Sequence, residues 1–138
     1  MHFFDRAKED SLTIEGLETA EYQLNIFDDL SPKLQEEYLK YTLKTADEAM
    51  SRIGEIIEAW ETGNAEKLNE IMQGEMKSNF PKLYQKMLIQ RNLNWIPKLE
   101  ELLAKEETPL IVVGAGHMVG PKGVVALLKK QGYVVEQL

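Results

Sequence analysis

The chain has 138 residues, enough for one domain with a real core. Its 16 Lys+Arg against 23 Asp+Glu give a formal charge of -7, and without a local basic cluster such a chain repels phosphate backbones, so no nucleic-acid partner is expected. The absence of cysteine excludes disulfides, thiolate metal sites and cysteine nucleophiles, and two histidines, His2 and His117, cannot build a His-rich cage within one chain.

The opening MHFFDRAKED carries no signal-peptide core, and no apolar run anywhere reaches the ~18 residues of a membrane span. Localisation is therefore left open by the residues themselves. Phe3, Phe4 and Ala7 recur at helical spacing, like the tail of a helix. Ser11-Leu12-Thr13-Ile14-Glu15 alternates, is β-branched and stops at Gly16, which predicts a strand near 11–15. Thr19 is placed to cap a helix whose face is Tyr22, Ile26 and Leu30. Ser31-Pro32 starts another, with Ser as N-cap and Pro in the first turn, and Leu34, Tyr38, Tyr41 and Thr45 as its face. Met50, Ile53, Ile57 and Trp60 continue at close to the helical period. Thr62-Gly63-Asn64 reads as a stop and a new cap, followed by a short helix ending at Gly74. A long helix is predicted from about Ser78 to Ala104, with a kink near Leu93–Pro97 where proline removes a hydrogen bond.

The last third changes character. Pro109-Leu110-Ile111-Val112-Val113 is a continuous apolar run, the pattern of a strand buried on both faces. The loop Gly114–Gly120 follows, then a helix from about Pro121 to Gln131, then a strand at 133–137. Residues 109–137 thus read as a right-handed βαβ unit. The expected architecture is α/β: one domain over 1–138, a small mostly parallel sheet with strands near 11–15, 109–113 and 133–137, and a large helical insertion over about 19–104.

Three features carry candidate chemistry. Gly114-x-Gly116-His117 directly follows a predicted buried strand, and ligands of open α/β sheets sit at the carboxyl ends of strands. An imidazole there suits a metal ligand or a general acid/base, while the bland alternative is a tight turn capped by His117. Glu18 lies just past the first strand and reaches the same edge if that strand joins the same sheet. Carboxylate plus imidazole suits Zn, Mn or Co; the alternative is an exposed first-turn Glu. Arg91 lies between Met87 and Trp95 on an apolar stripe. A buried Arg wants a carboxylate, and Glu18 is the expected partner, with Asn92 offering a neutral hydrogen bond nearby; the alternative is an Arg snorkelling over Trp95. The spacing Gly114, Gly116, Gly120 with Glu136 also resembles a dinucleotide fingerprint, but the chain stops two residues after Glu136, short of the further strands that fold needs.

Together, Gly16-Leu17-Glu18-Thr19 with Gln23, Arg91-Asn92 with Trp95 and Ile96, and Gly114-Ala115-Gly116-His117-Met118-Val119-Gly120 running on to Gly132-Tyr133 resemble the TraB/PrgY/GumN family, which includes the Tiki metalloproteases. The resemblance covers essentially the whole chain and implies a fold similar to erythromycin-esterase and ChaN-like proteins. It implies a divalent-metal-dependent, peptidase-like hydrolase, with His117 and Glu18 as metal ligands and Glu18, His117, Arg91 and Asn92 in catalytic roles. Gly114, Gly116 and Gly120 would line the substrate site. The metal would be Mn, Co or Zn. Family members carry two GxxH motifs, and only the second is present here, since His2 has no glycine at the needed spacing. The chain therefore resembles the C-terminal half of such a protein, with its metal lacking in the truncated form and its activity weak or absent alone. The resemblance leaves the localisation of a bacterial parent open, membrane association and export included. Expected partners are a peptide substrate or ligand, and either the N-terminal half or a second copy closing an unpaired sheet edge. The alternative function is peptide sequestration without turnover, in a groove lined by Tyr22, Phe27, Tyr38 and Trp60.

Overall fold

A computed structural model describes residues 2–138. Its helices are α1 (His2–Glu9), α2 (Ala20–Asp28), α3 (Pro32–Glu61), α4 (Ala65–Asn79), α5 (Pro81–Tyr84), α6 (Gln90–Leu103), α7 (Ala115–Met118) and α8 (Val124–Lys130), with a π-helical turn, Gln85–Ile89, joining α5 to α6. The predicted caps form. Thr19 Oγ1 accepts from Tyr22 N at 3.1 Å, Ser31 Oγ from Leu34 N at 3.3 Å, and Asn64 Oδ1 from Lys67 N at 3.0 Å. Each accepts one of the N–H groups that a helix start leaves without an intrahelical partner.

The α/β expectation is overturned: among the described residues there is no strand and no sheet. The segments 11–15, 109–113 and 133–137 are irregular and carry no ladder, so residues 109–137 form no βαβ unit. A β-branched run sets a preference for extended backbone, but a strand exists only where a neighbour takes its N–H and C=O groups. The run at 109–113 also differs in burial. Ile111 and Val113 pack against Trp95, Ile96, Leu99, Val124 and Leu127, whereas Leu110 and Val112 are 72% and 62% exposed. It is an apolar ribbon with one face covered, not two.

Helical boundaries also move. α4 runs through Gly74 to Asn79, and Phe80 separates it from α5, so the long helix begins at Pro81 rather than Ser78. The backbone irregularity falls at the π turn, while Pro97 lies inside a continuous α6. The loop after Gly114 contains the single turn α7, and α8 starts at Val124, after a turn containing Pro121. Gly123 is held to glycine there, because a Cβ would meet Val119 O at 2.4 Å and Met118 O at 2.6 Å.

Small apolar clusters tie the elements together. Ile26, Leu30, Phe80 and Leu83 join α2 to α5, with Tyr38 and Tyr41 of α3 set edge-on to Phe80. Ala59, Leu68 and Val119 join α3, α4 and the segment after α7. Trp95, Ile96 and Leu99 of α6 hold Val124 and Leu127 of α8. α3 shows its aromatic face to the core as expected, but Met50, Ile53, Ile57 and Trp60 point outward, between 45% and 70% exposed. Ile56 and Ala59, on the neighbouring stripe, pack inward instead.

Candidate functional site

α6 is the rail on which the site is built. Arg91, Trp95 and Lys98 lie four and three residues apart, on one helical stripe. That stripe fastens the Gly16–Thr19 segment, which has no secondary structure of its own to hold it. Lys98 Nζ donates to Gly16 O at 2.8 Å. Arg91 Nε donates to both Glu18 oxygens, at 2.9 and 3.1 Å, its Nη2 donates to Oε1 as well, and Trp95 Nε1 donates to Oε2 at 3.1 Å. Both members of the ion pair are largely buried. Arg91 Nη1 turns back to the Met87 carbonyl at 3.0 Å, within the π turn. π turns recur at functional sites because they re-aim side chains.

The adjacent stripe of α6 holds the histidine. Asn92 is 1% exposed. Its Nδ2 donates to Lys122 O at 2.8 Å and, more weakly, to His117 O at 3.4 Å. That orients its Oδ1 toward His117 Nδ1, 2.6 Å away. An amide oxygen only accepts, so Nδ1 carries the proton and Nε2 keeps its lone pair. The imidazole packs on Trp95, ring centroids 4.5 Å apart. Trp95 is thus shared: its N–H holds Glu18 and its face holds His117.

Burial pushes the His117 imidazole down to about 4; the Arg91 cation lowers it further and the Glu18 carboxylate partly offsets this. His117 is therefore neutral at neutral pH. Its tautomer and charge favour lone-pair donation from Nε2 over proton shuttling.

Further polar groups lock the α7 turn from the other side. Gln73 Nε2 donates to Gly116 O at 2.7 Å and Val119 O at 3.1 Å, and Tyr84 donates to Gln73 Oε1 at 2.9 Å. Gly120 adopts φ +81, and a Cβ on it would meet Asn69 Oδ1 at 2.2 Å, so only glycine fits there. Gly116 is buried and Gly120 half-buried, each close against α4, while Gly114 is exposed.

The structure thus brings together Glu18, Arg91, Asn92 and His117. Asn92 has both ends of its amide engaged, which accounts for it as the group that orients His117. Sequence reasoning missed Trp95 as a donor, although its place four residues after Arg91 could have suggested it. It also missed Gln73 and Tyr84, which no local pattern marks. Of the expected groove, Phe27 and Tyr38 line a cleft of about 630 Å³ between α2 and α3. Tyr22 lines a separate one of about 290 Å³, and Trp60 lines neither.

The divalent metal that the resemblance implies does not find a closed site here. Among the described residues no three His, Cys, Asp or Glu side chains cluster. Glu18 already accepts from Arg91 and Trp95, and His117 Nε2 is a single donor. A catalytic zinc site uses three protein ligands.

Comparisons with known proteins bear on the same residues. The family model described as TraB/PrgY/gumN matches residues 1–137. A protein from Amphimedon queenslandica, named as a metalloprotease TIKI homolog, is 34% identical over 80 residues, which is 56% of this chain and 14% of that protein. The match thus spans about one-seventh of that curated relative's length. No solved structure matches the chain. Among the described residues no helix is long and apolar enough to cross a membrane.

Proposed function

The chain belongs to the TraB/PrgY/gumN family, and from that premise we propose that it carries the histidine-bearing part of a hydrolytic site of the peptidase kind. One observation carries the reading: His117 is buried, neutral and fixed by Asn92 with its Nε2 lone pair unprotonated. A surface histidine in a loop has no need of such orientation; a reacting or ligating one does. The name of the metalloprotease relative supports the same class of chemistry. Arg91 and Trp95 hold Glu18 at the N–H edge of the Trp95 indole. They are positioning residues for that carboxylate. The divalent metal belongs to the whole hydrolase in this reading, with further ligands from outside the described residues, and no step here is routed through it.

The test is peptide hydrolysis by the longer protein that carries this segment, with metal content measured in parallel by mass spectrometry after Mn, Co and Zn soaks. His117→Ala should reduce turnover to background. Asn92→Ala should cost about 10- to 100-fold, as loss of an orienting partner does. The 138-residue chain alone should hold metal well below one equivalent. Full turnover in His117→Ala overturns the proposal.

A second reading has its own observation. The cleft between α2 and α3, lined by Leu24, Phe27, Leu30, Tyr38 and Leu39, has the size and apolar walls to hold a few peptide side chains. Sequestration without turnover predicts peptide binding by the chain alone that survives His117→Ala and is lost in Phe27→Ala.

A further inference from the structure

The outward stripe of α3 is left without an explanation by the site and by the core, apart from Leu39 at its start, which also borders the α2–α3 cleft. Leu39, Leu43, Ala46, Met50, Ile53, Ile57 and Trp60 are all exposed. Their spacing is 4, 3, 4, 3, 4, 3 without a break. That is a heptad seam of three turns of the repeat, roughly 33 Å long at 1.5 Å per residue. A surface helix facing only water has no reason to keep that period, and a helix facing its own core keeps one apolar face, which α3 already has in Tyr38, Tyr41, Ile56 and Ala59. The 3.5-residue repeat is the signature of a second helix in register.

We infer that α3 is a self-association surface, on which a second copy of the chain docks its own α3 antiparallel across a two-fold axis. The charges that flank the seam select the direction. Lys40 and Lys44 lie in its first half, and Glu58 and Glu61 in its second. An antiparallel register that layers Met50 on the partner's Ile53, Ala46 on the partner's Ile57 and Leu43 on the partner's Trp60 puts Lys40 opposite the partner's Glu61. It sets Lys44 beside the partner's Glu58 as well, and the two-fold axis repeats both contacts. The parallel register places Gln35 by the partner's Lys40, Thr42 by the partner's Asp47 and Ile56 by the partner's Glu61, with no opposite charges facing each other.

Gly54 is a separate observation on the same surface. It sits inside a 30-residue helix, has no positive φ, and a Cβ on it would meet nothing within 4 Å. Nothing in the protomer needs a glycine there, and glycine disfavours helix. In the antiparallel register Gly54 flanks the seam opposite the partner's Asp47, where the missing side chain lets the two backbones approach.

Sedimentation velocity over a concentration series tests this. The expected mass is twice 15.8 kDa, falling to one protomer on dilution. Ile57→Glu should hold the chain at one protomer with an unchanged far-UV spectrum, since the residue touches no core. Lys40→Glu should weaken association about tenfold, two surface pairs being lost by symmetry. Adding Glu61→Lys to the same chain should restore it. A single-protomer mass at every concentration overturns the proposal, as does a dimer that survives Ile57→Glu. A charge swap that fails to restore what Lys40→Glu removed overturns the antiparallel register.

Discussion

Among the described residues, two arginine–glutamate pairs share their carboxylate with a ring-borne donor, and these two clamps do different work. In one, Arg91 of α6 grips Glu18, with side chains 16% and 10% exposed. In the other, Arg52 of α3 meets Glu75 of α4 at 2.5 Å, with side chains 35% and 43% exposed, and the Tyr41 hydroxyl donates to the same carboxylate. The chemistry is the same: a guanidinium, a carboxylate and one ring-borne donor. The surroundings differ. The outer clamp joins two helices that already pack and carry their own caps. The inner clamp fixes a segment without secondary structure, and its third donor, Trp95, also supports the histidine. A charge pair shielded from water cannot lose one member cheaply, whereas one in contact with water can be rehydrated. The inner clamp therefore sets the geometry of the candidate site, and the outer one only reinforces packing.

The largest expected effect breaks the inner clamp. Arg91→Ala leaves the Glu18 carboxylate buried without its cation, and removing one member of a buried pair costs about 3–5 kcal/mol. Urea denaturation should show the midpoint falling at constant slope. Glu18→Gln in the same background should recover part of the loss, because the stranded charge is then gone. An Arg91→Ala chain as stable as wild type would show that the pair is hydrated after all, and would remove the distinction between the clamps.

A smaller effect sharpens the comparison from the histidine's side. The His117 imidazole is pushed down to about 4 from the ordinary 6.5, first by burial and then by Arg91. A depressed value means that the unfolded chain binds the proton before the folded one does. The associated stability is complete above about pH 6.5 and is lost as pH falls through 4. The full shift corresponds to on the order of 3 kcal/mol, and less to the extent that water reaches the ring. In His117→Phe the slope of stability against pH between 6.5 and 4 should flatten by that amount. An NMR titration that finds the imidazole titrating near 6.5 would contradict the burial on which the candidate site rests.

How much of this was legible beforehand follows from what a sequence encodes locally. Caps are local, so Thr19, Ser31 and Asn64 could be read directly. The pairing of Arg91 with Glu18 could be read because a cation on an apolar stripe has few ways to be satisfied. Extended segments are different. The residues at 109–113 state a preference for extended backbone and say nothing about whether a neighbour is present to pair with, so a sheet was inferred where the described residues have none. The same gap explains α3: periodicity marked Met50, Ile53, Ile57 and Trp60 as a face, but not which way that face turns. The inward stripe, Ile56 and Ala59, lies about a third of a turn away and is less apolar to the eye. Gln73 and Tyr84 were invisible because their hydrogen bonds reach residues far along the chain.

The smallest effect is expected at the outer clamp, and salt separates it from the inner one. Hydrogen bonds from Tyr41 and then Arg52 hold the Glu75 carboxyl below the usual carboxylate range. Arg52→Ala removes the second of these and leaves the first. The Arg52 side chain is over a third exposed, so water replaces what the guanidinium supplied, and the change in melting temperature should be small beside that of Arg91→Ala. What remains of it is a surface Coulomb attraction, which mobile ions screen over about 3 Å at about 1 M salt. In concentrated NaCl the Arg52→Ala and wild-type melting curves should therefore converge, while Arg91→Ala stays displaced, because ions do not enter the space where Glu18 lies. If both variants converge on wild type with salt, then both clamps are surface pairs and the inner one does not order the Gly16–Thr19 segment. If neither does, Glu75 is shielded as Glu18 is, and the α3–α4 junction is a second fixed point of the fold.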